Sequence, residues 1–186
     1  MKIMRRAEIL NRRAASRKSK PDEIIEKLAI TEGSIVADIG PGGGYFTRRL
    51  AFKAGAVHAL DINPEWIEML RDQIESEGWE NIFCHKVGEF PATYPNRKFD
   101  LVFMRNVCHH IEDKEKFFSE LKERLFEGGR VAVIDYKLGR PWTFTGLIGH
   151  FTDQDQLIET MMDNGYIFEE SYGFLNGQSF NIFKCT

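Results

Sequence analysis

The feature that most constrains the fold is an apolar run that ends in a cluster of glycines. It is the segment Val36-Ala-Asp-Ile-Gly-Pro-Gly-Gly-Gly-Tyr-Phe-Thr47, and apolar residues interleaved with Arg48, Arg49 and Lys53 follow it. A strand, a tight turn and an amphipathic helix produce this pattern, because glycine permits positive φ and lets a ligand approach the main chain. The segment therefore predicts the opening half of a nucleotide-binding βαβ unit.

The spacing of the glycines indicates which nucleotide such a unit can bind. A dinucleotide fingerprint, G-x-G-x-x-G, needs a third glycine at position 45, where this chain has Tyr45. The chain instead shows the pattern D-x-G-x-G-x-G, formed by Asp38, Gly40, Gly42 and Gly44. A carboxylate two residues before the turn repels a pyrophosphate and suits a ligand with a positive amino group. The spacing therefore disfavours a nicotinamide-dependent dehydrogenase.

A second acid completes the nucleotide signal. Asp61 ends the stretch Val57-His-Ala-Leu-Asp61, which has the composition of a strand, and it lies 21 residues after Gly40. An acid at the end of the second strand can accept hydrogen bonds from both hydroxyls of a ribose. The glycine loop and this acid together predict a site for a ligand that contains a ribose and an amino group.

Strand-like and helix-like patterns alternate along the chain, which predicts a mostly parallel sheet with helices on its faces. Helices are expected over 3–17, 21–29, 64–77 and about 113–126, and further strands over 82–85, 99–104 and 130–136. Ser19 and Thr152 are the expected N-caps of the second and the last helix. The closing segments Tyr166–Tyr172 and Gln178–Cys185 are expected to form an antiparallel hairpin.

These features together resemble the class I S-adenosylmethionine-dependent methyltransferases, in particular the small-molecule subgroup that includes the ubiquinone and menaquinone biosynthesis enzymes. Two further segments carry the resemblance, Phe99-Asp-Leu-Val with Asn106-Val-Cys-His-His-Ile111, and Leu121-Lys-Glu-Arg-Leu-Phe-Glu-Gly-Gly-Arg130. The resemblance implies an α/β, Rossmann-like sheet of seven mostly parallel strands in the order 3-2-1-4-5-7-6, with the last strand antiparallel. We expect a basic N-terminal helical segment over 1–20 and the methyltransferase domain over 21–186.

The resemblance also implies S-adenosylmethionine as cofactor, and residues that hold it. In the family, the glycine loop holds the methionine part, the acid after the second strand holds the ribose, and an acid after the third strand accepts from the adenine amino group. Here Gly88 stands at that last position and Glu89 follows it. The expected cofactor-binding residues are Asp38, Gly40, Gly42, Gly44, Asp61, Ile62, Glu89, Arg105 and Asn106.

Arg105 and Asn106 follow the fourth strand, where methyl transfer would take place. The family tends to have a small residue at the position of Arg105. Three interpretations of this arginine stay open: an outward-facing charge, a contact with the cofactor carboxylate, or a contact with an anionic substrate. The N-terminal helices and the 137–151 loop are expected to cover the acceptor.

The histidines give only a weak catalytic signal. His109 and His110 are adjacent, and neighbouring residues on a helix diverge by about 100°, so we expect packing or capping roles and no shared metal. His150 in the 137–151 loop is a weak candidate for a general base, since an imidazole accepts protons near neutral pH. No other catalytic residue is predicted.

Charge is unevenly distributed along the chain. Residues 1–20 contain eight basic residues and one acid, a net charge of +7, which leaves −10 for the rest of a chain whose total is −3. This segment is either a solvated basic helix on an acidic body or a steering patch for an anionic substrate, a membrane surface or RNA. The lack of interleaved aromatic residues disfavours nucleic acid. It could equally bind a second copy, so a monomer and a homodimer both stay open.

Composition narrows the class of protein. No apolar run approaches the ~20 residues that span a bilayer, and the N-terminus lacks the apolar core of a secretory signal. Cys84, Cys108 and Cys185 are scattered, which indicates free thiols in a reducing cytosol. We therefore predict a cytoplasmic methyltransferase that acts on a small molecule. The alternatives are a non-catalytic module that binds S-adenosylmethionine, and an RNA or protein methyltransferase that uses the basic N-terminus.

Overall fold

A computed structural model describes residues 2–137 and 151–186 of the chain. The α-helices of these ranges are α1 Lys2–Ala14, α2 Pro21–Lys27, α3 Tyr45–Ala51, α4 Pro64–Glu77, α5 Lys114–Lys122 and α6 Gln154–Asp163. The strands are β1 Ile35–Ile39, β2 Ala56–Asp61, β3 Ile82–Lys86, β4 Phe99–Arg105, β5 Leu125–Tyr136, β6 Tyr166–Tyr172 and β7 Gln178–Cys185. Short 3-10 turns lie at Arg17–Ser19, Pro91–Thr93 and Cys108–His110.

The strands form one seven-stranded sheet in the order β3-β2-β1-β4-β5-β7-β6. Strands β1 to β5 pair in parallel, whereas β7 is antiparallel to both β5 and β6. The predicted order and the antiparallel last strand are confirmed. None of the helices in the described ranges is long and apolar enough to cross a membrane.

Helices cover both faces of the sheet, so its central strands are buried on both sides. The core on one face contains apolar residues of α1, α2, α3 and α4, among them Ala7, Ile24, Phe46 and Met69. The core on the other face contains apolar residues of α5 and α6, among them Phe117 and Leu157. Strand β1 is buried along most of its length, which explains why its sequence shows no alternation of apolar and polar residues.

Gly128 and Gly129, which follow the helix predicted over about 113–126, lie inside strand β5. Helix α5 ends at Lys122, and β5 begins at Leu125, which pairs with Phe99 before the register shifts to the pair Leu101 and Arg130. A Cβ on Gly129 would lie 2.9 Å from the carbonyl oxygen of Phe99, so glycine permits the strands to approach at this irregularity. The predicted helix over 113–126 was therefore too long.

Both predicted N-caps were wrong by one residue. Helix α2 has Lys20 at its N-cap, in the left-handed conformation, and α6 has Asp153, whose carboxylate accepts from the main-chain N–H of Asp155 and Gln156. The hydroxyls of Ser19 and Thr152 are used in tertiary contacts instead, with Arg105 and Asp135 respectively. A hydroxyl next to a helix start can serve either purpose, and only the fold decides between them.

Candidate active site

The glycine loop joins β1 to α3 at the point where the strand order reverses. Strand β1 has β2 on one side and β4 on the other, and ligands of open α/β sheets bind in the crevice at such a point. Gly40, Gly42 and Gly44 have positive φ of 70°, 54° and 78°. A Cβ on Gly40 would also collide with the side chain of Val107, from the turn after β4. The loop therefore presents bare main chain to the crevice.

Helix α1 lies over this loop. The side-chain amide of Asn11 donates a hydrogen bond to the carbonyl oxygen of Gly43, at 2.9 Å. A Cβ on Gly43 would lie 2.7 Å from the carbonyl oxygen of Ala7, so the glycine lets the helix seat closely. Asn11 thus belongs to the site, and no motif in the sequence marked it.

Two cavities open at the carboxyl edge of the sheet, and Gly40 lines both of them. The smaller, of about 200 Å³, is lined by Leu10, Asn11, Ala14, Asp38, Gly40, Pro41, Gly42, Gly43, Tyr45, Phe46, Phe103, Arg105 and Asn106. The larger, of about 610 Å³, is lined by Ile39, Gly40, Leu60, Asp61, Ile62, Val87, Glu89, Phe90, Tyr94, Val107, His110, Ile111, Glu112, Asp113 and Phe117. Every residue of the expected cofactor set except Gly44 therefore lines one cavity or the other.

Asp38 is the buried acid of the smaller cavity. It is 2% exposed and accepts a hydrogen bond from the hydroxyl of Thr47 at 2.6 Å. Burial raises the pKa of Asp38 to about 7, although the Thr47 hydroxyl opposes this and the charge of Asp61 adds to it. The carboxylate is therefore costly to ionise until a cation reaches it.

Asp61 is the first acid of the larger cavity. Its carboxylate accepts a hydrogen bond from the main-chain N–H of Asn63 at 2.9 Å. Burial raises the pKa of Asp61, and the N–H groups of Asn63 and Ile62 oppose that rise. The side chain of Ile62 is 56% exposed and forms part of the cavity wall.

The turn after β3 separates the roles of Gly88 and Glu89. The N–H of Gly88 donates to the hydroxyl of Thr93 at 2.8 Å, and a Cβ at this position would lie 2.9 Å from Thr93. Gly88 thus tightens the turn, and the exposed Glu89 lines the cavity beside it. Tyr94 is buried in the same wall, and sequence reasoning missed it because its only signal is an isolated aromatic residue.

Arg105 does not face outward as a free surface charge. Its guanidinium donates from Nη1 to the hydroxyl of Ser19 at 2.8 Å and from Nη2 to the Oε1 of Gln178 at 3.1 Å. The same group lies over the ring of Phe46, 4.8 Å from its centroid. Burial lowers the pKa of Arg105 to about 10, and the hydroxyls of Tyr136 and Tyr45 oppose this.

Asn106 adopts an uncommon backbone conformation at the mouth of β4. Its φ is 58°, in the left-handed region, and its N–H donates to the carbonyl oxygen of Ile134 at 2.8 Å. Its side-chain oxygen accepts a hydrogen bond from Nε2 of Gln178. One amide, that of Gln178, therefore fixes both Asn106 and Arg105, and a residue of the last strand enters the site without any sequence motif.

The histidines after β4 have separate surroundings. The Nδ1 of His109 lies 2.7 Å from a carboxylate oxygen of the buried Asp135. His110 is exposed and lines the larger cavity. Within residues 2–137 and 151–186, no group of three or more His, Cys, Asp or Glu side chains is arranged to hold a metal. His150 lies outside the described residues. Cys84, Cys108 and Cys185 are free thiols, as predicted.

Comparison with known proteins identifies the family. The profile described as "Methyltransferase domain" matches residues 37–133, just over half of the chain. The ubiquinone/menaquinone biosynthesis C-methyltransferase UbiE of Hydrogenovibrio crunogenus is 30% identical over 116 residues, which are 60% of this chain and 46% of that protein. Phosphoethanolamine N-methyltransferase 1 of Zea mays is 32% identical over 120 residues, which are 61% of this chain and 23% of that protein.

A solved structure shares the fold. The SAM-dependent methyltransferase from Aquifex aeolicus superposes with a TM-score of 0.77 at 20% identity, covering 88% of both chains. The chain spans less than half of the length of the two relatives matched by sequence. The match over residues 37–133 includes the glycine loop, Asp61 and the whole of β4, where the resemblance was strongest. The chain therefore belongs to the class I S-adenosylmethionine-dependent methyltransferases, a family whose cofactor is S-adenosylmethionine.

Proposed function

We propose that this chain transfers a methyl group from S-adenosylmethionine to a small-molecule acceptor. The observation that carries the proposal is the placement of Asp38 and Asp61 at the carboxyl ends of two adjacent strands, in two cavities that meet at Gly40. An amino acid part and a nucleoside part joined end to end need this arrangement. The names of the relatives also support a small-molecule acceptor, since one acts in ubiquinone and menaquinone biosynthesis and another on phosphoethanolamine.

The charge of the lining residues supports this cofactor as well as the two-part shape of the cavities. In our proposal the methionine part occupies the smaller cavity, where its ammonium group meets the carboxylate of Asp38. The adenosine part occupies the larger cavity, with the ribose at Asp61 and the adenine between Ile62 and Glu89. Among the described residues, four acids and no lysine or arginine line the larger cavity, so it favours a ligand with positive charge over a pyrophosphate.

Methyl transfer from S-adenosylmethionine depends more on alignment of the acceptor with the methyl group than on acid–base catalysis. S-adenosylmethionine supplies an activated methyl group, so the protein's residues need to bind, orient and exclude water. Gly40 allows the loop to approach the reaction centre. In our proposal the methionine part lies on the Asp38 side of the smaller cavity, and the acceptor enters beside Asn106 and Tyr45 in its wall. Helix α1 covers the glycine loop, so the segment 1–20 contributes to the site whether or not it forms a separate unit.

Calorimetric titration with S-adenosylmethionine, S-adenosylhomocysteine and NADH tests the cofactor part of this proposal. We expect micromolar binding of the first two ligands and none of NADH. Binding of NADH alone would refute it. Release of S-adenosylhomocysteine upon addition of small-molecule acceptors then tests turnover, and binding without turnover of any acceptor would favour the non-catalytic module.

A further inference from the structure

We propose that Arg105 is an anion-binding residue of the acceptor site, so that the methyl acceptor carries a carboxylate or phosphate group. This inference rests on the proposed function, because it assigns the substrate class of the same site. Three observations support it. The guanidinium is held in a fixed geometry, it has no partner carboxylate among the described residues, and its hydrogen bonds lead away from the strands that precede the cofactor residues.

The guanidinium is held in place before any ligand arrives. Ser19 and Gln178 are both buried, at 7% and 8% exposure, and each takes one N–H of Arg105. The ring of Phe46 supports one face of the guanidinium. An arginine has five N–H donors, so the hydrogen bonds to described residues leave three of them, and Arg105 lines the smaller cavity. A planar fork that is fixed in this way suits the two oxygens of a carboxylate or phosphate.

The charge of Arg105 lacks a counterion in the part of the chain that the structure describes. Its partners there are a hydroxyl, an amide oxygen and an aromatic ring, and it forms no salt bridge with a described carboxylate. Burial lowers its pKa to about 10, which shows that the surroundings disfavour the cation. A cation removed from water without a counterion is costly, and an anionic ligand removes that cost.

The position of Arg105 favours the acceptor over the cofactor as the source of the anion. The cofactor residues follow β1, β2 and β3, which lie on one side of β4 in the sheet. The hydrogen bonds of Arg105 run the other way, to Gln178 on β7 and to Ser19 between α1 and α2, whereas its stacking contact is with Phe46 on α3. Tyr136 at the end of β5 also acts on its charge. An anion bound on that side would lie across the reaction centre from Asp61.

The test compares Arg105→Met with Arg13→Met, which removes an exposed charge from α1 and serves as the matched control. Calorimetry first measures the affinity of each protein for S-adenosylhomocysteine and for 5′-methylthioadenosine, which lacks the amino acid part. Thermal unfolding of the protein saturated with S-adenosylhomocysteine is then followed at increasing inorganic phosphate, with chloride at matched ionic strength. Circular dichroism checks that each variant is folded.

We expect phosphate to raise the Tm of the wild type and of Arg13→Met. In Arg105→Met the apparent phosphate affinity should fall by about tenfold or more, because charge-assisted hydrogen bonds are lost. The affinity for S-adenosylhomocysteine should stay within about threefold. Arg105→Lys keeps the charge but not the fork, so it should respond to phosphate weakly; it replaces the methionine variant if that protein does not fold.

Three results would overturn the inference. If Arg105→Met lowers the affinity for S-adenosylhomocysteine but not that for 5′-methylthioadenosine, the arginine binds the cofactor carboxylate. The proposed function then stands. If phosphate has no effect on the wild type, or affects wild type and Arg105→Met equally, the anion site does not exist. If the wild type does not bind S-adenosylhomocysteine at all, the proposed function itself fails first.

Discussion

The proposed cofactor half and the proposed acceptor half of this site are built in different ways. The cofactor half consists of Asp38, the glycine loop, Asp61 and Glu89, and each of these lies at or within three residues of the carboxyl end of a strand. The acceptor half, as we propose it, consists of Ser19, Gln178 and also Arg105 and Asn106, which the sequence had assigned to the cofactor. Its hydrogen bonds join residues 86 and 73 positions apart in the chain. The first half is a set of local turns, whereas the second exists only once distant strands and helices have packed.

The two halves also differ in charge. The cofactor half offers carboxylates, and burial raises the pKa of both Asp38 and Asp61. The acceptor half offers the guanidinium of Arg105 and two neutral amides. S-adenosylmethionine carries a net positive charge, and an anionic acceptor would meet it at the boundary between the two halves. Substitutions in the first half should therefore change cofactor affinity, and substitutions in the second should leave it unchanged and alter the response to an anion.

The largest effect is expected at Asp38. Asp38→Ala should weaken the binding of S-adenosylhomocysteine by about 2–3 kcal/mol, roughly 30- to 150-fold. The reason is that it removes a buried charge-assisted hydrogen bond to the ammonium group. Calorimetry at pH 8 measures this, and Asp72→Asn, an exposed acid on α4, is the control. An affinity as high as that of the wild type would place the ammonium group elsewhere and remove Asp38 from the cofactor half.

The raised pKa of Asp38 makes cofactor affinity depend on pH. Below about pH 7 the ligand-free protein carries a neutral Asp38, while the bound ammonium group favours the carboxylate, so binding releases a proton. Affinity for S-adenosylhomocysteine should rise by up to about tenfold per pH unit from pH 5 to 7 and then level off. Asp38→Asn should flatten this profile. A flat profile in the wild type would contradict the assignment.

The raised pKa of Asp38 also makes the stability of the ligand-free protein depend on pH. Stability should fall as the pH rises, whereas cofactor affinity should increase. The folded, ligand-free protein binds a proton at Asp38 between about pH 4 and pH 7 that the unfolded chain has already released. The contribution of Asp38 to stability is therefore fully present below pH 4 and is lost as the pH rises through 7. Urea unfolding of wild type and Asp38→Asn across this range isolates that contribution.

A smaller effect is expected at Asp61. Asp61→Ala should weaken the binding of S-adenosylhomocysteine by about 1–3 kcal/mol, because charge-assisted hydrogen bonds to the ribose are lost. Because Asp61 also accepts from the N–H of Asn63 at the start of α4, part of any loss could come from the helix end. Asp61→Asn keeps an acceptor for that N–H, so it should restore the Tm but not the affinity. Recovery of both would make Asp61 a capping residue only.

The sequence predicted the residues of the cofactor half better than those of the acceptor half. The D-x-G-x-G-x-G loop and Asp61 were recognisable because each role depends on neighbours within a few residues. Ser19 shows the limit: a serine before Pro21 and two acids has the pattern of an N-cap, yet its hydroxyl bonds to Arg105. Gln178 had no local signal at all, since its role depends on the antiparallel pairing of β7 with β5.

The fold was predictable to a similar extent, and for similar reasons. Alternating strands and helices predicted a mostly parallel sheet, because parallel neighbours need a crossover connection that is usually a helix. The order of the strands was implied by the resemblance to the methyltransferase family. The fifth helix and strand were misplaced at Gly128 and Gly129, because glycines that commonly end a helix here permit an irregular strand pairing. The approach of α1 to Gly43 was equally hidden, since only the packed structure shows what a Cβ there would strike.

The smallest effect, and the sharpest test of the division, is expected at Gln178. Gln178→Glu places a carboxylate against Nη2 of Arg105, which neutralises the guanidinium and competes with any anionic ligand. Gln178→Met only removes the two hydrogen bonds that orient Arg105 and Asn106. Both variants should bind S-adenosylhomocysteine within about twofold of wild type, because neither touches the cofactor half.

The two variants should separate in their response to phosphate. Gln178→Met should weaken phosphate binding, measured through the rise in Tm, by about 1 kcal/mol, the value of a positioning hydrogen bond. Gln178→Glu should abolish the rise in Tm. Gln156→Glu, on the exposed face of α6, adds the same charge far from Arg105 and should respond like wild type. If Gln178→Glu retained the phosphate response, the anion would not be bound at Arg105. If both Gln178 variants lost cofactor affinity instead, the two halves would be coupled through Asn106, and the division between them would have to be abandoned.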